Sequence, residues 1–238
     1  MNRLSPVLIV ILILSLESAG TIVANGASPE VSYKKCQQDT IYNRQLLYNG
    51  RVWGNRYQKI LSHEFFLTRN QVNGTVTING MTFENNLLRY DIFNDELLIL
   101  FSPDTWLQLN KEAVSGFTLY IDNKRYMFEN FERKNLNSTV GYGQVIYHGE
   151  IYLIKKYSKE IKKYAVDNKY DSFTEAESVY LVMGGEIFRL GTRKDLFNAL
   201  SDRKEEIKRF IKTRGVKISL KEPETLIPVM EYYDTLNQ

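Results

Sequence analysis

Apolar and polar residues alternate with a period of two along much of the chain between residues 72 and 190, and the period moves to about 3.6 after residue 192. The stretch "NGTVTINGMTFENNLLRYDIFNDELLILF", Asn73 to Phe101, is the clearest case. A two-residue turn at Asn79-Gly80 pairs Ile78 with Met81 and Val76 with Phe83, and Asn-Gly suits a type I′ turn. A turn at Asn94-Asp95 pairs Ile92 with Leu97, Tyr90 with Ile99 and Leu88 with Phe101. Leu87, Phe93, Leu98 and Leu100 load the opposite face as well. That strand pair is therefore expected inside a sandwich or a strongly curled sheet.

"FTLYIDNKRYMFENF" predicts a third hairpin, turning near Asn123-Lys124 with Ile121 against Tyr126 and Leu119 against Phe128. A short strand is expected around Trp106–Leu109, a turn or a single helical turn at 111–115 and a turn at Tyr48–Arg51. Gln58 to Leu67 reads as an entering strand, and six to eight strands precede residue 130. Beyond the polar connector "FERKNLNSTV", a turn at His148-Gly149 sets Ile146 against Ile151. Gly184-Gly185 sets Met183 against Glu186 and Val182 against Ile187. Lys155, Lys156, Lys159, Lys162 and Lys163 read as a solvent-facing edge.

Three helices follow. Thr192 with Asp195 caps the first, whose inner face is Leu196, Phe197 and Leu200. Ser201 caps the second, Ile207, Phe210 and Ile211 face inward, and Gly215 stops it. Pro223 opens the third, with Leu226, Met230 and Tyr233 inward, and Pro228 forces it to bend or to start later. The expected fold class is mainly β, α+β: an antiparallel sandwich or curled sheet, then β-hairpins with a small C-terminal helical cap.

The N-terminus changes the picture of address. Arg3, the apolar run "VLIVILILSL" and the small residues Ser18 and Gly20 describe a secretory signal peptide over residues 1–20. The run falls short of the roughly 20 apolar residues of a membrane span. Residues 21–34 read as a flexible leader, 35–135 as an antiparallel β domain, and 136–238 as β-hairpins plus a three-helix region. The implied address is exported: periplasm or cell envelope, or extracellular. Cys36 is the only cysteine, so no internal disulfide framework is available. A composition 43% hydrophobic with 16 Tyr and 12 Phe supports a packed core.

Candidate chemistry is sparse. His63, in an expected strand, and His148, in an expected turn, are the two histidines, and no metal-ligand spacing surrounds them. Asp91, Asp95 and Glu96 form the best acidic cluster, without the spacing of a calcium loop; turn capping or pairing with Arg89 is the ordinary role. "VMGGEIF" is explained by its hairpin rather than by phosphate binding, and Ser115 reads as a turn residue. "KKYSKEIKK" and "RKEEIKRFIKTR" are interrupted by glutamates in a chain of net charge +3, which with export argues against nucleic acid. Asn73 and Asn137 fit N-glycosylation acceptors in exposed turns. No catalytic, cofactor or metal residue is assigned.

"GTVTINGMTFENNLLRYDIFNDELLIL", "LNKEAVSGFTL", "GYGQVIYHGEIYLIKKYSKEI" and "YLVMGGEIFRLGTRKDLFNALSDRKEEIKRFIKTRGVKI" together resemble a group of exported β-rich proteins of Bacteroidota, over most of residues 45–235. The resemblance implies an envelope address and a β-rich body with a helical end, and it supplies no catalytic residue to carry over. The leading expectation is a non-enzymatic cell-envelope binding or assembly protein. Its partner classes are an envelope protein or a small apolar ligand, with weak contact to a membrane surface. A carboxylate-based hydrolase would instead need a cleft uniting Asp91, Asp95 or His63 with other polar groups. A carrier of a lipid or small apolar ligand would need a deep cavity lined by Leu, Phe and Tyr.

Overall fold

The computed structural model describes residues 44–134, 140–163 and 171–237. The expected signal peptide and leader, Cys36 and Asn137 lie outside them. Among the described residues, alternation produces one sheet rather than two. Its eleven strands are β1 (Arg51–Val52), β2 (Val72–Ile78), β3 (Met81–Asp91), β4 (Glu96–Ser102), β5 (Thr105–Gln108), β6 (Val114–Ile121), β7 (Lys124–Asn130), β8 (Tyr142–His148), β9 (Tyr152–Lys162), β10 (Ser172–Met183) and β11 (Glu186–Leu190). They pair antiparallel in the order β1-β5-β4-β3-β2-β6-β7-β8-β9-β10-β11, an open sheet. A single continuous sheet replaces the sandwich alternative.

The sheet curls strongly. Strands β3 and β9 stand five positions apart in that order. At about 4.8 Å per strand this separation is roughly 24 Å in a flat sheet. Yet Lys156 on β9 reaches Asp95, in the loop after β3, at 2.5 Å. The tyrosine ring of Tyr90 on β3 lies 5.1 Å from Phe128 on β7 and 5.9 Å from Tyr142 on β8. The concave side is filled by Phe66, Tyr90, Phe117, Phe128, Tyr142 and Tyr157 among branched aliphatic side chains, all buried.

Turn chemistry explains where registers hold and where they move. Asn79 and Gly80 take φ of 49° and 83°, and Ile78 pairs with Met81 and Val76 with Phe83 as the dipeptide requires. Gly184-Gly185 likewise pairs Met183 with Glu186 and Val182 with Ile187. The β3–β4 register differs from expectation by two residues. Asp91 pairs with Glu96, Tyr90 with Leu97 and Leu88 with Ile99, around a loop of Ile92 to Asp95. The Asp91 carboxylate accepts from the backbone N–H groups of Phe93 and Asn94, both at 2.9 Å, and this stabilises the longer loop. The β6–β7 turn also moves, onto Asp122-Asn123, both left-handed at φ 48° and 60°. Leu119 then faces Tyr126, and Phe117 faces Phe128. In the β8–β9 hairpin His148 pairs with Tyr152, not Ile146 with Ile151, because a bulge between Val145 and Tyr147 absorbs Ile146. The side-chain faces survive the two-residue shifts because the strand period is two.

The segment expected as a strand at 58–67 is irregular, with one bridge from Phe65 to Asp91. It works as a strap across the curl. Phe66 N–H donates to Tyr90 O, and Ile92 N–H to Glu64 O. On the far side Leu61 N–H donates to Asp171 O, and Phe173 N–H to Ser62 Oγ. Tyr57, Phe93 and Phe173 close the same junction as an edge-to-face triad with centroids 5.2–5.6 Å apart. With Trp53 and Phe65 against its outer side, the β3–β4 pair buries both faces, and Leu98 there is fully buried.

The short helix α1 (Phe131–Lys134) follows β7. The C-terminal part has α2 (Arg193–Ala199), α3 (Lys204–Arg214) and α4 (Ile227–Leu236). Thr192 and Asp195 form the expected capping box on α2. Ser201 is not a cap: it begins a 3-10 turn, Ser201–Arg203, that leads into α3. Gly215 ends α3 at φ 64°. Pro223–Leu226 is a 3-10 turn, and α4 starts only at Ile227, so Pro228 falls in its first turn where no N–H is needed. Leu196, Leu200, Ile207, Leu226, Val229 and Met230 pack on Leu153 and Leu181 of β9 and β10. None of the described helices is long and apolar enough to cross a membrane.

Candidate functional site

The loop after β3 sends its two aspartates to different partners. Asp91 is fully buried and spends its carboxylate on the loop itself, including the Asn94 side-chain amide at 2.8 Å. Burial pushes its carboxyl up, against the hydrogen bonds from Asn94 and Phe93 that favour the charged form. Asp95 turns instead to the far side of the curl. It accepts from Tyr90 Oη at 2.6 Å, Lys111 Nζ at 2.8 Å, Lys156 Nζ at 2.5 Å and Tyr142 N–H at 3.2 Å. Burial opposes its charge, yet Lys156 and Lys111 outweigh that cost and hold the carboxyl below the ordinary carboxylate range. Burial, together with the nearby Lys111, lowers Lys156 despite Asp95, whereas Asp95 and Glu132 raise Lys111 above its ordinary value despite burial. Burial, then Asp95, drives the Tyr90 hydroxyl well up. The chain approaches so closely here that a Cβ on Gly141, at φ 69°, would lie 1.8 Å from Asp95 Oδ2.

The expected solvent edge of lysines is thus corrected for three of its members. Lys155 bonds Glu177 at 2.8 Å, Lys156 holds Asp95, and Lys159 donates to the His63 and Phe65 carbonyls at 2.9 and 2.6 Å. Their side chains are 13%, 14% and 8% exposed. Lys162 and Lys163 are exposed, at the end of the stretch.

A second group is carried by the strap itself. Glu64 is buried, with Oε1 lacking a hydrogen-bond partner, and burial followed by the nearby Asp91 pushes its carboxyl up. His63 stacks on Phe65, its Nδ1 accepts the Phe65 N–H, and burial and Lys159 push its pKa down. Arg89 lies 4.2 Å over the Trp106 ring rather than against Asp91. His148 ends β8, exposed and stacked on Tyr152. Asn73 stands exposed within β2 rather than in a turn. Ser115 is in β6, its hydroxyl donating to Thr77 O.

Lys111 carries the Asp95 network to the surface. It also bonds Glu132 at 2.9 Å, and Glu132 lines an open groove of about 890 Å³ with Asn49–Arg51, Gln108–Glu112, Asn130 and Arg133. The groove's frame is rigidly bonded. Asn130 Nδ2 donates to Lys111 O and Val114 O, and Arg133 donates to Ala113 O at 2.7 Å. Asn49 Oδ1 accepts the Asn110 N–H, and Arg51 Nε donates to Gln108 Oε1 at 2.8 Å. Gly50 passes so close to Gln108 O that a Cβ would sit at 1.9 Å. The rim therefore presents guanidinium, amide and carboxylate groups from fixed positions.

These groups can hold a polar partner by charge-assisted hydrogen bonds. Among the described residues no three His, Cys, Asp or Glu side chains converge as metal ligands. No family model, curated protein or solved structure matches the chain.

Proposed function

We propose that this chain is a non-enzymatic binding protein of the cell envelope that receives a protein partner in the groove between residues 49–51, 108–112 and 130–133. The observation that carries the reading is the groove itself: an open concavity of about 890 Å³ whose polar rim is anchored to the sheet by named hydrogen bonds. Fixed donors and acceptors lose little freedom on binding, which favours recognition. The two aspartates of the β3–β4 loop support the same reading, since both carboxyl groups are spent on holding the fold. The concave side, where a carrier would keep its ligand, is packed with aromatic rings. The envelope address rests on the signal-like pattern of residues 1–20.

A photo-crosslinking amino acid at Glu112, on the groove, tests this in cells of the source organism, with Lys194 on α2 as the control position. A discrete protein adduct from Glu112 alone supports the reading. No adduct, or the same adducts from both positions, overturns it.

A further inference from the structure

The ladder between β10 and its neighbours has a gap. Strand β9 pairs with β10 along Ser172 to Val182, but β11 pairs only with Val179 to Met183. Residues 174–178 are therefore held extended on one side and, among the described residues, have no strand on the other. Thr174, Glu175, Ala176 and Glu177 are all exposed.

The direction of the free groups follows from the hairpin. Met183 and Glu186 flank a two-residue turn and so exchange both backbone hydrogen bonds, which points the N–H and C=O of residues 179, 181 and 183 toward β11. The period of two carries that direction back to Glu177, Glu175 and Phe173. Phe173 confirms it independently: its N–H leaves β9 and donates to Ser62 Oγ at 2.8 Å. Between the strap at Phe173 and the start of β11, the N–H and C=O of Glu175 and Glu177 face outward. Unpaired edges of this kind are templates for strand addition.

Charge selects the occupant. The edge segment contains two glutamates and no basic residue. A second copy pairing antiparallel would set these glutamates opposite each other or themselves, a like-charge arrangement that is destabilising. We propose that the Thr174–Ser178 edge accepts a short extended segment of another protein with lysine or arginine at alternate positions. Lys155 and Lys159 contact Glu177 and Glu175 from the β9 side, and the carboxylates remain 44% and 36% exposed for a cation on the other.

The test is residue-resolved hydrogen exchange on the full chain, with a synthetic hexapeptide alternating lysine and valine and a second alternating glutamate and valine. The basic peptide is expected to slow exchange of the Glu175 and Glu177 amides at least tenfold, and the acidic one to leave them unchanged. Glu175→Pro removes an outward donor at an edge, where proline is tolerated, and should abolish the effect. Glu175→Gln with Glu177→Gln should weaken binding of the basic peptide about fivefold, whether or not the proline variant folds. Unchanged exchange with the basic peptide, equal protection by both peptides, or undiminished binding by the glutamine variant would overturn the proposal. These readouts are separate from crosslinking at Glu112, so either reading fails on its own.

Discussion

Asp95 and Lys156 meet at 2.5 Å although they lie 61 residues apart in sequence, one in the β3–β4 loop and the other on β9. With Lys111, Tyr90 and Tyr142 they form a polar junction that joins distant parts of a curled sheet. Breaking a buried pair on one side leaves an uncompensated charge, which costs about 3–5 kcal/mol. Asp95→Leu is expected to destabilise by that amount in urea unfolding at pH 7. Asp95→Leu combined with Lys156→Met should cost less than Asp95→Leu alone, because the stranded cation is removed with its partner.

Acid should act in two opposite phases. Asp95 is held below its ordinary range, so its contribution is full above about pH 4 and is lost as pH falls through its lower folded value. Glu64 and Asp91 are raised, so their contribution is full below the ordinary carboxylate range and is lost as pH rises through their folded values. These two carboxyls should therefore raise the melting temperature as pH is lowered toward about 4–5, opposed over the same range by His63, whose pKa is pushed down so that its protonation costs stability; below about pH 4 the melting temperature should fall steeply. Glu64→Gln should flatten the first phase and leave the second in place.

The Asp91 loop gives a local prediction. Asp91→Ala strands the Phe93 and Asn94 N–H groups and should cost about 2–3 kcal/mol. Asp91→Asn keeps an acceptor oxygen and should cost less. Amide exchange at Phe93 and Asn94 checks that the loss is in the loop, where exchange should quicken in the alanine variant.

Gly141 and Gly80 separate crowding from backbone strain. Both have positive φ, 69° and 83°, but a Cβ meets Asp95 at Gly141 and nothing within 4 Å at Gly80. Gly80→Ala should cost about 1–2 kcal/mol from conformation alone. Gly141→Ala should cost clearly more, because it also displaces Asp95 from its lysines. Thermal unfolding of the two variants side by side measures the difference.

Local chemistry was legible in the sequence and long-range partnership was not. Asn79-Gly80 and Gly184-Gly185 announce their turns because few dipeptides take two positive φ values cheaply, and both registers follow. Asn94-Asp95 misleads because the decisive residue is Asp91, which caps a four-residue loop from outside it. The Thr192–Asp195 capping box and the Gly215 stop are local and were readable; the 3-10 entries before α3 and α4 depend on packing. The pair Lys155-Lys156 within an apolar strand looks like a solvated edge. Only the curl, which brings Asp95 across the sheet, turns Lys156 into a buried partner. The groove was equally hidden, since its walls come from three separate stretches of chain.

Native mass spectrometry of the protein purified gently from its source cells tests whether the interior is a filled core and binding occurs at the polar groove. The wild-type spectrum is expected to show a protein partner that is lost on Glu112→Arg, with no small apolar molecule retained. A lipid or other apolar ligand retained by both proteins would contradict it.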